Sequence, residues 1–265
     1  MQQRVTSRDN PRVLQARRLA QSSRDRRKAG RCVIEGEHLV RVYCDRIGPP
    51  ESLIVVDWAL DHPGIAALVR DVPHSRVVQV PPTVFAEIAV LPIDVGVLAV
   101  IETPREAAAV DRRFSLLLED LQDPGNVGTV LRTAAAAGVD QVLLSKHCAF
   151  AWSPKVLRAA QGAHFLTVIA EDADLPAWTT QFRGAGGRVV ALDPHGSEPL
   201  FDVPMAFPLA LAVGNEGAGL SEALLALADA RVTIPMPGGT ESLNAAAAAA
   251  VALFECVRRS LQENR

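Results

Sequence analysis

The chain has 265 residues, of which 49% are hydrophobic and 22% are charged, and its formal charge is −3. This length allows one large domain or two ordinary ones, and the composition excludes an intrinsically disordered chain and a uniformly basic nucleic-acid-binding protein. The longest apolar run, residues 245–254, is far shorter than the roughly twenty residues of a membrane span, and the first ten residues lack an apolar signal core. We therefore predict a cytoplasmic protein without a membrane partner.

Charge is unevenly distributed along the chain. Residues 1–46 hold twelve Lys or Arg against five Asp or Glu, and the remaining residues carry a net charge of −10. The basic excess is almost all arginine, whose guanidinium suits bidentate contact with phosphate. Either a surface for an anionic partner or a solvated charged helix accounts for this pattern.

The four cysteines are scattered through the sequence. They form no C-x-x-C pair, and only Cys148 has a histidine beside it. This spacing supports neither a zinc site nor a disulfide framework, so we expect no metal.

The N-terminal part predicts a small α/β unit of about 100 residues. Residues 11–20 have the pattern of a short basic helix that runs into a charged loop, SSRDRRK. A strand-like segment and a helical one follow at 31–36 and 37–44. Further apolar runs predict strands at 52–57, 76–80 and 95–102, with a helix around 64–71.

The polar stretch 103–113 is the predicted linker, which gives one domain at residues 1–108 and a second at 109–265. Beyond the linker, apolar strands alternate with helical segments. Such alternation predicts a parallel sheet with helices on both faces, and ligands of these sheets bind at the carboxyl ends of the strands. The predicted strands are FSLLLED, DQVLLS, HFLTVIA, RVVALD, LALAVG and RVTIPM.

The first of three loops that follow predicted strands is LEDLQDPGNVGTVLRTA, residues 118–134. Asp123, Pro124 and Gly125 predict a tight turn, and Asn126 is a suitable N-cap for the helix that follows. Arg132 is then expected in the second turn of that helix. A capping role for Asn126 and an ion pair for Arg132 explain this loop as well as a functional site does.

The second loop, LAVGNEGAGLS, has the glycine spacing G-x-x-G-x-G, which is not the dinucleotide fingerprint, and no phosphate-binding G-K-[ST] occurs in the chain. Glu216 in this loop either orients a ligand or serves as a partner of a helix dipole. The third loop, IPMPGGTESLNAA, contains Ser242 and Asn244, which begin a long alanine-rich helix predicted over residues 241–261. No histidine lies close to Ser242, so a serine-hydrolase triad lacks a base.

These three loops together resemble a known family. NVGTVLRTA, AVGNEGAGL and IPMPGGTESLNA, in this order and spacing, resemble the three motifs of the SpoU/TrmH RNA 2'-O-methyltransferases of the SPOUT class. At the N-terminus, SRDNP, the basic helix and VIEGEHLV resemble the ribosomal-protein-like substrate-binding domain often fused ahead of the catalytic domain. A mild departure is the unbroken alanine run after Asn244.

The resemblance implies methyl transfer from S-adenosylmethionine to a ribose 2'-hydroxyl of structured RNA, with ribosomal RNA as the expected substrate. It also implies a C-terminal domain with a deep trefoil knot and a homodimer formed by that domain. The alternatives are a SPOUT base methyltransferase, an enzyme directed at tRNA, and a non-catalytic RNA-binding protein of ribosome assembly.

The resemblance also assigns residues to roles. Arg132 corresponds to the family's essential arginine, and the other catalytic candidates are Asn126, Glu216, Ser242 and Asn244. The expected cofactor contacts are Gly214, Ile234, Leu243 and Leu192. The candidate RNA contacts are Arg8, Arg12, Arg17, Arg18, Arg24, Arg26, Arg27, Lys28 and Arg31.

Overall fold

The computed structural model describes residues 3–90 and 95–263, and contacts divide the chain into two compact units. The N-terminal unit comprises Met1–Pro104 and Trp152–Phe165. The C-terminal unit comprises Arg105–Ala151 and Leu166–Arg265. Residues 103–113 contain no strand or helix, as the predicted linker requires, and the domain boundary at 108 itself stays a prediction.

Strands and helices follow each other along both units. The strands are β1 (Gln3–Arg4), β2 (Arg31–Glu35), β3 (Ser52–Val56), β4 (Val77–Val80), β5 (Val97–Glu102), β6 (Phe114–Leu118), β7 (Gln141–Leu144), β8 (Val168–Ala170), β9 (Arg188–Leu192), β10 (Glu198–Pro199), β11 (Leu209–Val213) and β12 (Ala230–Thr233). The helices are α1 (Pro11–Gln21), α2 (Ser23–Ala29), α3 (Glu37–Arg46), α4 (Pro63–Asp71), α5 (Pro82–Phe85), α6 (Pro124–Ala136), α7 (Pro154–Ala160), α8 (Leu175–Gly184), α9 (Glu222–Leu225) and α10 (Ala245–Glu263).

The N-terminal unit is built on a five-stranded mixed sheet in the order β1-β4-β3-β5-β2. β1 and β3 both run parallel to β4, and β5 runs antiparallel to β3 and β2. β3 is buried along its whole length, which its apolar sequence SLIVV explains.

The prediction of a charged loop after the first helix is wrong. The segment forms α2, because the Ser22 side chain accepts a hydrogen bond from the Asp25 N–H at 3.1 Å and so caps the new helix. Gly30 ends α2 in the left-handed conformation, with φ of 62°. Three basic residues in the last turn suit the negative end of the helix dipole.

The predicted parallel sheet of the C-terminal unit is confirmed. Its seven strands lie in the order β10-β12-β9-β11-β6-β7-β8, and every neighbouring pair is parallel. β6, β7 and β11 are fully buried, as strands covered on both faces must be. One core cluster packs Trp178 and Phe182 of α8 against Leu117, Leu143 and other apolar residues of the strands.

The segment after β9 crosses close to β12. The Asp193 N–H donates to the Val232 carbonyl at 2.9 Å, and the Leu200 N–H donates to the Thr233 carbonyl at 2.8 Å. A Cβ on Gly196 would lie 2.6 Å from the Arg231 carbonyl oxygen, so this crossing leaves no room for a side chain. The trefoil knot implied by the resemblance stays a prediction.

Two strands and the last helix are shorter at one end than the sequence predicts. The residues before β8 form a 3-10 helix at Ala163–Phe165, and β12 ends at Thr233. The last helix begins at Ala245 and not at 241, because Asn244 provides its cap: its Oδ1 accepts from the Ala246 N–H at 2.9 Å.

α10 uses its alanines inside its own unit. Ala245, Ala246, Ala249 and Ala252 are buried, and the helix contacts α6 and β11. Their small side chains permit this close packing against α6 and β11. No helix in the ranges 3–90 and 95–263 is long and apolar enough to cross a membrane.

Candidate active site

The three motif loops meet at the carboxyl edge of the seven-stranded sheet. The first loop follows β6, and the second follows β11, its neighbour in the sheet. Ser221 joins them: its N–H and Oγ each donate to one oxygen of Glu119 at 2.7 Å. The Asn215 side chain also donates to the Asp120 carbonyl at 2.8 Å. The two loops therefore form one continuous wall.

The prediction that Asn126 caps the first site helix is wrong. α6 begins at Pro124, and its cap is Asp123, whose Oδ1 accepts a hydrogen bond from the Asn126 N–H at 2.7 Å. Asn126 is the third residue of the helix, and its side chain does not cap the helix, so it can contact residues of other loops. Arg132 consequently lies in the third turn and not the second.

The side chain of Asn126 connects all three loops. Its Nδ2 donates to Glu216 Oε1 at 2.6 Å, and its Oδ1 accepts from Asn244 Nδ2 at 3.0 Å. We call this chain of Glu216, Asn126 and Asn244 the asparagine bridge. Because an amide has both a donor and an acceptor, asparagine can hold a carboxylate on one side and a second amide on the other.

A cavity of about 410 Å³ opens beside the asparagine bridge. All four residues expected to contact the cofactor line it, together with the catalytic candidates Glu216 and Ser242. These four are Leu192, Gly214, Ile234 and Leu243. The lining residues include the carboxylates of Asp193, Glu216 and Glu241 and contain neither Lys nor Arg. The cavity therefore favours a ligand with cationic groups over a phosphate.

Arg132 lies apart from this cavity. Its side chain is exposed on α6, does not line the cavity, and makes no hydrogen bond or ion pair with the residues that the structure describes. Asn126 and Arg132 are six residues apart, which separates them by about 9 Å along the helix axis. The guanidinium is free to bind an incoming group.

Gly214 is required by the second loop itself. A Cβ at this position would lie 2.2 Å from the carbonyl carbon of Gly219 and 2.4 Å from the Leu220 nitrogen. Asn215 and Gly219 exchange two backbone hydrogen bonds of 3.0 Å, which fold the loop back over Gly214. Besides its expected contact with the cofactor, this glycine is therefore needed for the path of the loop itself.

Asp193 lines the cavity, and Arg231, which is not a lining residue, pairs with it; neither residue is among the site residues predicted from the sequence. Arg231 donates from Nε and Nη2 to Asp193 Oδ2 at 3.0 and 2.7 Å, and the His195 N–H donates to Oδ1 at 2.9 Å. Burial raises the pKa of Asp193, but these hydrogen bonds and the charge of Arg231 outweigh it and lower the pKa below its usual value. The available sequence signal was the position of Asp193, directly after β9.

No group of three or more His, Cys, Asp or Glu able to hold a metal occurs among residues 3–90 and 95–263.

The basic residues of the N-terminal unit divide into paired and unpaired groups. Arg8 and Arg17 both bind Glu87, at 2.8 and 3.2 Å, and Arg31 binds Glu51 at 2.5 Å. In contrast, three exposed residues have no ion pair within the described part of the chain. These are Arg18, Arg24 and Lys28.

Arg26 does not belong on an RNA surface. It is only 3% exposed, and its Nη2 donates to the Ala20 carbonyl at 2.5 Å. Burial lowers the pKa of its guanidinium. Arg26 is therefore not available for the predicted RNA contact. α2 turns its side chain inward, whereas Arg24, Arg27 and Lys28 are exposed.

Two family models match the chain. The SpoU rRNA Methylase family matches residues 113–254, and the MRM3-like substrate binding domain matches residues 10–99. Among curated relatives, the 23S rRNA (guanosine(2553)-2'-O)-methyltransferase RlmP of Bacillus subtilis is 33% identical over 88% of this chain and 91% of its own length. The 23S rRNA (uridine(2479)-2'-O)-methyltransferase of Streptomyces viridochromogenes is 30% identical over 97% of this chain and 93% of its own.

Solved structures show the same fold. The SpoU methyltransferase AviRb from Streptomyces viridochromogenes, in complex with the cofactor AdoMet, superposes with a TM-score of 0.84 and 29% identity, covering 95% of this chain and 98% of that chain. The AdoMet-bound rRNA methyltransferase from Sinorhizobium meliloti also gives 0.84 and 29%, covering 97% and 98%. The similarity spans both units.

Gly214→Ala is expected to lower the free energy of unfolding by about 1–3 kcal/mol and to reduce affinity for S-adenosylmethionine, because the new Cβ displaces the backbone at Gly219. Gly217→Ala in the same loop is the control: the nearest atom to its Cβ is 3.6 Å away, so its stability should change by less than about 0.5 kcal/mol. Urea unfolding and titration calorimetry measure both effects. Equal behaviour of the two variants would contradict this account of Gly214.

Proposed function

Since the chain belongs to the SpoU rRNA Methylase family, we propose that it transfers a methyl group from S-adenosylmethionine to a ribose 2'-hydroxyl of ribosomal RNA. The observation that carries this proposal is the asparagine bridge of Glu216, Asn126 and Asn244 beside an acidic cavity. It joins three loops that the family resemblance identifies independently.

The cavity fits S-adenosylmethionine in size and charge. Its volume of about 410 Å³ lies within the usual range for small-molecule sites. This cofactor carries a sulfonium and an ammonium cation, which the carboxylates of Glu216 and Glu241 attract; the third lining carboxylate, Asp193, is already paired with Arg231. Leu192, Ile234 and Leu243 offer apolar contact for its adenine. When bound, S-adenosylmethionine supplies the activated methyl group.

Arg132 is proposed to act on the RNA. A ribose hydroxyl becomes more negative as it attacks a methyl group, and a fixed cation near the oxygen stabilises that charge. A guanidinium keeps its proton at neutral pH, so Arg132 is better suited to bind phosphate and stabilise the developing alkoxide than to remove the proton. Its exposure and freedom from ion pairs leave its donors available.

The asparagine bridge is proposed to position the reacting groups. Asn126 holds Glu216 and Asn244 at hydrogen-bond distance, which fixes the second and third loops relative to α6. Ser242 lies in the cavity wall two residues before Asn244, which supports a role in holding the third loop or the cofactor. Such positioning contributes to rate because the reactants are aligned before the chemical step.

Ribosomal RNA is the proposed substrate because the curated relatives RlmP and the Streptomyces enzyme are named for 23S rRNA 2'-O-methylation. The exposed Arg18, Arg24 and Lys28 of the N-terminal unit supply cations for phosphate contact. We place the reaction in the cytoplasm. All four cysteines are free thiols, which suits a reducing compartment.

A homodimer is proposed for the C-terminal unit. Phe254 and Leu261 of α10 are 49% and 63% exposed, an apolar surface that a second copy would cover. Arg132 does not reach the cavity lining of its own chain, so a partner copy would complete the site.

Light scattering should give twice the chain mass for the native protein. Phe254→Glu should shift the measured mass toward that of the monomer. Leu166→Glu, at an equally exposed residue outside α10, should leave the mass unchanged. A monomeric native protein at micromolar concentration would rule this out.

Arg132→Ala is expected to lower methyl transfer at least about a hundredfold and to change S-adenosylmethionine affinity no more than a few-fold, because the side chain acts on developing charge outside the cavity. Transfer of labelled methyl to ribosomal RNA and calorimetry measure the two quantities. Arg132→Lys keeps the charge and loses the guanidinium fork, so its methyl-transfer rate should lie between those of the native protein and Arg132→Ala. An equal loss of cofactor binding would assign Arg132 to the cavity.

The same labelled RNA distinguishes ribose from base methylation. A 2'-O-methyl group blocks alkaline or nuclease cleavage at its own nucleotide, and a base methyl group does not. Mass spectrometry of the digest therefore identifies the product. Cleavage at the labelled nucleotide would show base methylation and overturn the ribose proposal. Failure of the native protein to transfer label would favour a non-catalytic RNA-binding role.

Arg24→Gln is expected to weaken binding to large-subunit ribosomal RNA and to reduce the slope of log affinity against log salt by roughly 0.7 to 0.9, because one phosphate contact and its released counterions are lost. Filter binding over a salt series measures the slope. Arg70→Gln is the matched control, because Arg70 is an exposed arginine on α4, outside the basic region of residues 1–46. Equal slopes for Arg24→Gln and the native protein would remove α2 from the RNA surface.

A further inference from the structure

A second cavity, of about 430 Å³, lies wholly within the N-terminal unit. It opens at the edge of the five-stranded sheet where β2 begins and β5 ends, and Arg31 and Glu102 are paired residues of those two strands. Its volume is large enough for a nucleobase with part of its ribose. The lining residues are Arg31, Tyr43, Pro49, Glu51, Arg76 and Glu102.

Of the residues that the structure describes, Tyr43 is the one aromatic residue that lines this cavity. The residue is only 6% exposed, and its ring packs edge to face on Phe165 with centroids 5.2 Å apart. Its hydroxyl has no hydrogen-bond partner among the described residues. Burial raises the pKa of the phenol, so it remains an O–H donor at neutral pH.

The charged residues around the cavity retain unused hydrogen-bonding groups. Arg31 donates from Nε to Glu51, and Arg76 donates from Nη1 to the Pro49 and Pro50 carbonyls, which leaves other guanidinium N–H groups of both residues unassigned. The carboxylate of Glu102 is exposed and has no hydrogen bond or ion pair in the part of the chain that the structure describes. Two arginines and two glutamates balance in charge, so the cavity favours a neutral polar group over a phosphate.

We propose that this cavity binds a guanine base of the RNA substrate, with Glu102 accepting from the base and an arginine donating to it. Guanine presents two adjacent donors, N1–H and N2–H, which match the two oxygens of a free carboxylate. Its O6 and N7 acceptors are the usual partners of arginine. Adenine, cytosine and uracil each lack two adjacent donors on that edge. The proposal rests on RNA being the substrate, and it adds a base-specific contact remote in sequence from the methyl-transfer motifs.

The chain contains a single tyrosine, which permits a direct test. Biosynthetic labelling with 3-fluorotyrosine gives one fluorine resonance, located in this cavity. We expect GMP to shift the resonance at millimolar concentration and to bind at least about tenfold more tightly than AMP, CMP or UMP. The titration needs neither S-adenosylmethionine nor methyl transfer, so it is independent of whether the proposed methylation holds.

Matched variants assign the contact. Glu102→Gln should remove the preference for GMP, because it loses one of two acceptor oxygens, and it should leave the fold intact because Glu102 is exposed and unpaired. Glu106→Gln removes an exposed carboxylate outside the cavity and should keep the preference. An equal response to all four nucleotides, a response to inorganic phosphate alone, or no response to GMP would each overturn the guanine site.

Discussion

The parallel direction of seven strands is the constraint on which the active site depends. Because every strand of the C-terminal sheet runs the same way, the loops after β6, β11 and β12 emerge at one edge. Motif residues that are 118 positions apart in the sequence, Asn126 and Asn244, thereby come within 3.0 Å. An antiparallel neighbour would carry one of these loops to the opposite edge and separate the groups.

Backbone contacts then fix the loops more tightly than side chains alone would. Gly214 and Gly196 each lie where a Cβ would meet backbone of another segment at 2.6 Å or less. Both positions border the cavity edge formed after β9 and β11, so the cavity shape is set by main-chain crossings that tolerate no side chain. Asp193 and Arg231 reinforce the same crossing with an ion pair.

The sequence was sufficient to predict what depends on periodicity: the parallel sheet and the strand ends from which the three loops emerge. The four residues that the family resemblance proposes as cofactor contacts line one cavity: Leu192, Gly214, Ile234 and Leu243. The sequence was insufficient where two neighbouring residues are both suitable for the same structural role. Asp123 and Asn126 are both good helix caps, and only the distant Glu216 and Asn244 decide that Asn126 is used elsewhere. The burial of Arg26 likewise follows from α2, a helix that its polar sequence does not announce.

The charges of the two units point to a division of tasks. The cavity lining of the C-terminal unit holds three carboxylates and no Lys or Arg, which attracts a cationic cofactor and repels the phosphate backbone of RNA. The proposed RNA binding therefore depends on cations outside that cavity. Arg132, Arg18 of α1, and Arg24 and Lys28 of α2 are such exposed cations. Arg8 and Arg17 contribute less, because both are paired with Glu87. The same chain can thus hold a positively charged methyl donor and a negatively charged substrate because the opposing fields arise from different residues.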